Sequence, residues 1–211
     1  MPRWKTTVGV AFLAAVAAGC SGEEPGTPNP VTPDAGPGTS TSDGNGDSLP
    51  RHGAPKVENP LDTSYFRQQD PCAAITDAEM TEFFGDGVTT KPRPDGAAGP
   101  ACTWNAAGIG QASIGVIFPT VDQSGLSGIY SNRDEAAFFI ELPPITGYPA
   151  VAYDLGDQRP EGRCNLDVGT SDTQTVNVSI ALSEDKIGKI DPCEAVHEVA
   201  STVIANIKER N

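Results

Sequence analysis

Four of the five cysteines of this 211-residue chain lie within residues 70–211, and they constrain its fold more than any other feature. Cysteines of exported proteins are usually oxidised to disulfides, and four cysteines allow three pairings. Proximity along the chain favours two loops of about 30 residues, each of which would stabilise the fold by roughly 3–4 kcal/mol through chain entropy. The favoured pairs are Cys72–Cys102 and Cys164–Cys193. The main alternative joins Cys72 to Cys193, because helices that begin near these two residues could meet on one face of a sheet.

The first twenty residues predict export and lipidation. Two basic residues precede an eleven-residue apolar run at 8–18, which is too short to cross the roughly 30 Å core of a bilayer but suits a signal peptide. Small residues then lead directly to Cys20, which resembles the bacterial lipobox, although that pattern prefers Leu where Ala17 stands. We therefore predict a lipoprotein signal peptide at residues 1–19 and acylation of Cys20. A signal that is cleaved without lipidation and an uncleaved anchor helix are the alternatives.

A stretch rich in small and helix-breaking residues follows the predicted signal. Residues 21–60 contain 7 Gly, 8 Pro and 8 Ser or Thr and almost no large apolar side chains, so they are expected to be disordered. About 45 residues of flexible coil span roughly 35–40 Å, which would hold a domain clear of the lipid headgroups. We predict that residues 20–69 form a lipidated tether and that residues 70–211 form one globular domain.

The charge of the chain limits its partners. It has 28 acidic and 14 basic residues, for a formal net charge of −14. Nucleic-acid binding relies on clustered Lys and Arg, so no nucleic-acid partner is expected. The same charge opposes electrostatic attachment to anionic lipid, which leaves the acylated Cys20 as the predicted contact with the bilayer.

Capping patterns and periodicity predict the secondary structure. Asp-Pro-Cys tripeptides at 70–72 and 191–193 indicate helix starts, because Asp caps a helix and Pro is tolerated at its first position. Thr76 and Glu79 form a capping box for a further helix. Strands are predicted at 101–106, 111–118, 163–169 and 175–182, and a central helix at 133–140. This order predicts a single α+β domain, an antiparallel sheet with helices packed on it, whose N-terminal and C-terminal helices are linked by disulfides.

The spacing of these features resembles a known family. The lipobox and polar tether are followed by Asp70-Pro71-Cys72, Cys102-x-Trp104, Gly147-x-Pro149-Ala150, Cys164 and Asp191-Pro192-Cys193. Together they are similar to the actinobacterial lipoproteins that carry domain of unknown function 3558. The resemblance covers about residues 70–211 and implies an exported, lipid-anchored, disulfide-linked domain. It implies no catalytic residue.

The residues offer few candidates for chemistry. Trp104, Tyr148 and Tyr153 could line an apolar pocket with polar groups at its edge, as small-ligand sites require. The domain has one histidine and no Cys-x-x-Cys pattern, so no metal or other cofactor is predicted. Four carboxylates near the middle of the domain could instead serve glycoside hydrolysis: Asp154, Asp157, Glu161 and Asp167.

These observations lead to an expected function. We expect a membrane-anchored module on the outer face of the cytoplasmic membrane that binds a small ligand or an envelope protein and has no catalytic activity. An envelope hydrolase that uses the carboxylates is the alternative, and a purely structural envelope component is a third possibility.

Overall fold

The computed structural model describes residues 48–108 and 110–211. The predicted signal peptide, Cys20 and the predicted tether up to residue 47 lie outside the described residues. Within them, no helix is long and apolar enough to cross a membrane.

A seven-stranded antiparallel sheet forms the centre of the fold, with strand order β1-β2-β3-β7-β6-β5-β4. The strands are β1 Thr89–Arg93, β2 Ala101–Asn105, β3 Ser113–Ile117, β4 Phe138–Ile145, β5 Tyr148–Asp154, β6 Arg163–Ser171 and β7 Gln174–Ala181. In the described part of the chain, four α-helices accompany the sheet: α1 Ser64–Gln68, α2 Asp77–Phe84, α3 Leu126–Ser131 and α4 Pro192–Glu209. Single turns of 3-10 helix occupy Pro71–Ala74, Arg133–Glu135 and Arg159–Glu161. The α+β architecture with an antiparallel sheet is therefore confirmed.

One face of the sheet carries the main core. Because side chains alternate between the two faces of a strand, β6 and β7 each send every second residue to this face. Leu166, Val168, Val176 and Val178 are fully buried there, and α4 packs on both strands. We call this side of the sheet the helix face. The apolar stripe of α4 consists of Val196, Val199, Ala200, Val203, Ile204 and Ile207, all of which are buried in the core.

Caps fix where the predicted helices begin. The Asp191 carboxylate accepts a hydrogen bond from the Cys193 backbone N–H at 2.7 Å, and Asp70 accepts one from Cys72 at 2.9 Å. The element after Asp70 is a short 3-10 helix rather than an α-helix. The capping box of Thr76 and Glu79 is present at the start of α2.

The structure contains the favoured disulfide pairing. Cys72 is joined to Cys102, and Cys164 to Cys193, with Cα–Cα distances of 5.0 and 5.2 Å. The first bond attaches the 3-10 turn after Asp70 to β2, and the second attaches the start of α4 to β6. The alternative bond between Cys72 and Cys193 is not formed.

The helix predicted at 133–140 is wrong. Arg133–Glu135 forms only a 3-10 turn, and the chain then enters β4. Aromatic and β-branched residues such as Phe138, Phe139 and Ile140 favour strands, and these three pair with β5. Because β4 is an edge strand, it also tolerates the two prolines that follow Leu142.

The predicted domain boundary at residue 70 lies too far along the chain. Val57, Leu61 and Phe66, which were assigned to the tether, are buried in the main core. The ring of Phe66 stacks on Phe118 with centroids 5.3 Å apart, and Leu61 donates a backbone hydrogen bond to Thr170 at 2.8 Å. A few apolar residues spaced along a polar segment are enough to attach it to the sheet. They were too few to change the polar composition from which the tether was predicted.

Candidate functional site

The second face of the sheet is polar at its centre. The same alternation that sends Leu166 to the helix face directs Asn165 and Asp167 to the opposite side. We call this side the open face. Part of it is covered by α3, where Leu126 and Tyr130 form a small apolar cluster with Val151. The remainder holds two adjoining cavities, and both are lined by Asn165.

The first cavity, which we call the arginine cavity, has a volume of about 310 Å³. Its floor is a row of residues paired across four strands: Thr103, Gly115, Ser179 and Asn165. Gly115 keeps this floor low, because a Cβ atom there would lie 2.6 Å from the Ser179 Oγ. An isolated glycine inside a strand is typical of such a close approach.

Two arginines lie at opposite corners of this cavity. Arg93 extends from the end of β1 and Arg163 from the start of β6, and both are exposed. In the part of the chain that the structure describes, neither forms an ion pair. The cavity lining contains no Asp or Glu. A positively charged cavity is therefore present on a chain whose net charge is −14.

The second cavity, which we call the tyrosine cavity, has a volume of about 500 Å³ and a mixed lining. Asp154 accepts a hydrogen bond from the Asn165 side-chain amide at 3.1 Å. Asn177 also lines the cavity, and its amide donates to the Asp167 carboxylate at 2.9 Å. Glu135 contributes a further carboxylate to the lining. The two cavities thus have opposite charge character.

Burial raises the pKa of two groups near the tyrosine cavity, Asp167 and Tyr153. Asp167 is only 4% exposed, and this burial raises its pKa from an ordinary value of 3.8 to about 6, against the opposing hydrogen bonds from Asn177 and Thr175. Burial also raises the pKa of Tyr153 to about 12, and nearby carboxylates add to the shift. Tyr153 therefore keeps its proton near neutral pH and can donate a hydrogen bond.

The pocket predicted from Trp104, Tyr148 and Tyr153 is not formed. Trp104 and Tyr148 are buried in the main core, where the Tyr148 hydroxyl donates to the Asn59 carbonyl at 2.9 Å. Tyr153 lies on the open face and lines the tyrosine cavity. The alternation of side chains along a strand explains this separation. Trp104 lies two residues after Cys102 and so shares the helix face with it, whereas Tyr153 directly follows the buried Ala152 and so points to the open face.

The four candidate carboxylates are also dispersed. Asp154 lines the tyrosine cavity, but Asp167 is buried and lines neither cavity of the open face. Asp157 is exposed and forms an ion pair with Arg159 at 2.7 Å; the hydrogen bond from Arg159 lowers its pKa to about 2, so it holds no proton to donate at neutral pH. Glu161 is exposed on a 3-10 turn. No group of three or more metal-ligating side chains occurs in residues 48–108 and 110–211.

The arginine cavity was not predicted from the sequence. The alternating pattern of residues 175–182 predicts a strand with one polar face, and Asn177 and Ser179 are indeed on the open face. This pattern does not show that the polar faces of five strands, β1, β2, β3, β7 and β6, lie side by side. The strand glycine at 115 was the available signal, since it marks a place where a side chain is excluded.

Comparison with known proteins assigns the chain to a family. A family model described as "Protein of unknown function (DUF3558)" matches residues 15–206. No curated protein and no solved structure matches the chain. Since the match covers well over half of the sequence, this protein belongs to the DUF3558 family.

Proposed function

We propose that this protein is an actinobacterial envelope lipoprotein, attached through an acylated Cys20 to the outer face of the cytoplasmic membrane, whose domain binds a small polar ligand on the open face without transforming it. The observation that carries the proposal is the arginine cavity. It is a concave site on the sheet, and its floor depends on a glycine. Ligand sites are typically concave surfaces with a few convergent polar groups.

The anchoring part of the proposal rests on the sequence. The apolar run at 8–18 and the small residues before Cys20 are typical of lipoprotein export. Two or more acyl chains hold a protein stably on a membrane, since each buried methylene contributes about 0.8 kcal/mol. The polar stretch after Cys20 would then keep the domain within reach of ligands in the envelope.

The binding role is favoured over hydrolysis by the state of the carboxylates. A glycosidase needs two carboxyl groups that both reach the scissile bond. Asp154 lines a cavity, whereas Asp167 lies beneath the surface with its carboxylate hydrogen-bonded to Asn177. Of these two predicted carboxylates only Asp154 reaches a cavity, so they do not form a facing pair, and the other carboxylate of that lining, Glu135, belongs to no predicted pair.

The test compares wild type with Gly115→Ala. Soluble glycan fragments released from the cell wall are titrated into the purified full chain by calorimetry. The added methyl group would raise the cavity floor, and the short Ser179 side chain can rotate away because its hydrogen bond to the Gly115 carbonyl is long, at 3.5 Å. We expect wild type to bind and Gly115→Ala to bind at least about tenfold more weakly. Thermal unfolding of both proteins serves as the control for folding.

Other outcomes would contradict the proposal. Equal binding by both proteins would place the ligand elsewhere. Cleavage of the fragments that is lost in Asp154→Asn would favour the hydrolase, and the absence of any binding would favour a structural component.

A further inference from the structure

We infer that the ligand of the arginine cavity is a polyhydroxylated anion, a sugar that carries a carboxylate or a phosphate. The inference rests on the proposed function and specifies the chemistry of its ligand.

The charge of the cavity supplies the first step. Arg93 and Arg163 line it with no carboxylate between them. Two other arginines of this acidic chain are used internally, since Arg133 pairs with Glu141 at 3.2 Å and Arg159 with Asp157 at 2.7 Å. A guanidinium group presents its donors in a planar fork that matches carboxylate and phosphate oxygens. Two such groups around one cavity, neither of them paired with an acidic side chain of the described residues, are suited to an anion.

The groups between the arginines supply the second step. The side chains of Thr103, Ser113 and Gln158 line the cavity and form no hydrogen bond with the described residues. Hydroxyl and amide groups can each donate and accept, which matches the hydroxyl groups of a sugar. A simple inorganic anion would leave them unused.

A buried donor beside the cavity supplies independent support. The side-chain amide nitrogen of Asn105 is buried and has no hydrogen-bond partner among residues 48–108 and 110–211. Asn105 pairs in register with Ser113, which lines the cavity. An unsatisfied buried donor costs free energy, so an acceptor that reached it would be favoured. Asn105 does not itself line the cavity, so a ligand oxygen would have to reach past Ser113 to be such an acceptor.

The carboxylates of the neighbouring tyrosine cavity determine which way a bound anionic ligand is oriented. Glu135 and Asp154 line the tyrosine cavity, so an anionic group is repelled from that side and attracted toward the arginines. The volume of about 310 Å³ falls at the lower end of the range for small-ligand sites, which suits one or two sugar rings.

The experiment measures the affinity of the full chain for three matched sugars by calorimetry: glucuronate, glucose 6-phosphate and glucose. We expect at least one of the two anions to bind about tenfold or more tightly than glucose, and the one that binds identifies carboxylate or phosphate as the source of the charge. Acetate and inorganic phosphate are expected to bind more weakly than the sugar that carries the same group. Arg93→Gln/Arg163→Gln is expected to remove the preference for the anion. Lys56→Gln/Lys189→Gln, which changes the net charge equally at two exposed lysines away from the cavity, is expected to retain it.

The result that overturns the inference differs from the one that overturns the proposed function. If neutral sugars bind as tightly as the anions, and Gly115→Ala weakens them while the arginine variant does not, the binding role stands and the anionic ligand is rejected. If acetate or phosphate alone binds as tightly as the matching sugar, the sugar part is rejected. If neither the sugars nor the cell-wall fragments bind, both fail.

Discussion

Asp167 is a buried carboxyl group that makes the stability of the domain depend on pH. Its pKa is raised to about 6 in the folded chain by burial, while the unfolded value is the ordinary 3.8. Between these values the unfolded chain has lost the proton and the folded chain still holds it. The free energy of unfolding should therefore fall as pH rises from about 4 to 6, by at most about 3 kcal/mol, and stay lower above that range.

The prediction at this residue is that Asp167→Asn removes that fall. An Asn side chain can still accept from the Asn177 amide and can donate to the Thr175 hydroxyl, so the hydrogen bonds around it are preserved. Urea unfolding is measured from pH 4 to 7 for wild type, for Asp167→Asn and for the exposed control Asp86→Asn. A wild-type profile that Asp167→Asn leaves unchanged would contradict the assignment.

At the scale of elements, the two disulfides attach helical segments to the two halves of the sheet. They close loops with sequence separations of 30 and 29 residues. The chain-entropy estimate depends on loop length, so the two bonds should contribute nearly equally.

We predict that Cys72→Ser/Cys102→Ser and Cys164→Ser/Cys193→Ser each lower the free energy of unfolding by about 2–5 kcal/mol. The two losses should agree within about 1 kcal/mol, because loop closure is the shared cause. Urea denaturation of both variants, with wild type under oxidising and reducing conditions as the control, measures this. A loss confined to one pair would show that local packing at that bond outweighs chain entropy.

The success of the sequence predictions also differs from element to element. The start of α4 was predictable because Asp191 and Pro192 act locally, and so was β7, whose alternation is regular. The segment at 133–140 was assigned wrongly because its strand forms only by pairing with β5 in a hairpin, and the local pattern of the segment does not show that pairing. The arginine cavity was missed for the same reason. It is assembled from five strands, and only the strand order brings Arg93 and Arg163 to one surface.

At the scale of the whole molecule, the proposed anchor and the open face have separate roles. A Cys20→Ala variant should move from the membrane fraction to the soluble fraction of cells, because it lacks the acylated sulfur. Fractionation and metabolic labelling with a fatty acid measure this, with Cys20→Ser as a second variant of the same type. Unchanged membrane association of both variants would contradict the anchoring proposal and leave the binding site unaffected.

The proposed function requires that the ligand bind on the open face of the sheet. The location of binding is measured from the amide chemical shifts of the isotopically labelled chain while the sugar or cell-wall fragment that binds is titrated. We expect saturable shifts centred on Thr103, Gly115, Asn165 and Ser179. Shifts centred instead on the apolar surface formed by Phe83, Phe84 and Ile190 between α2 and α4, or no saturable shifts with any of these ligands, would contradict it.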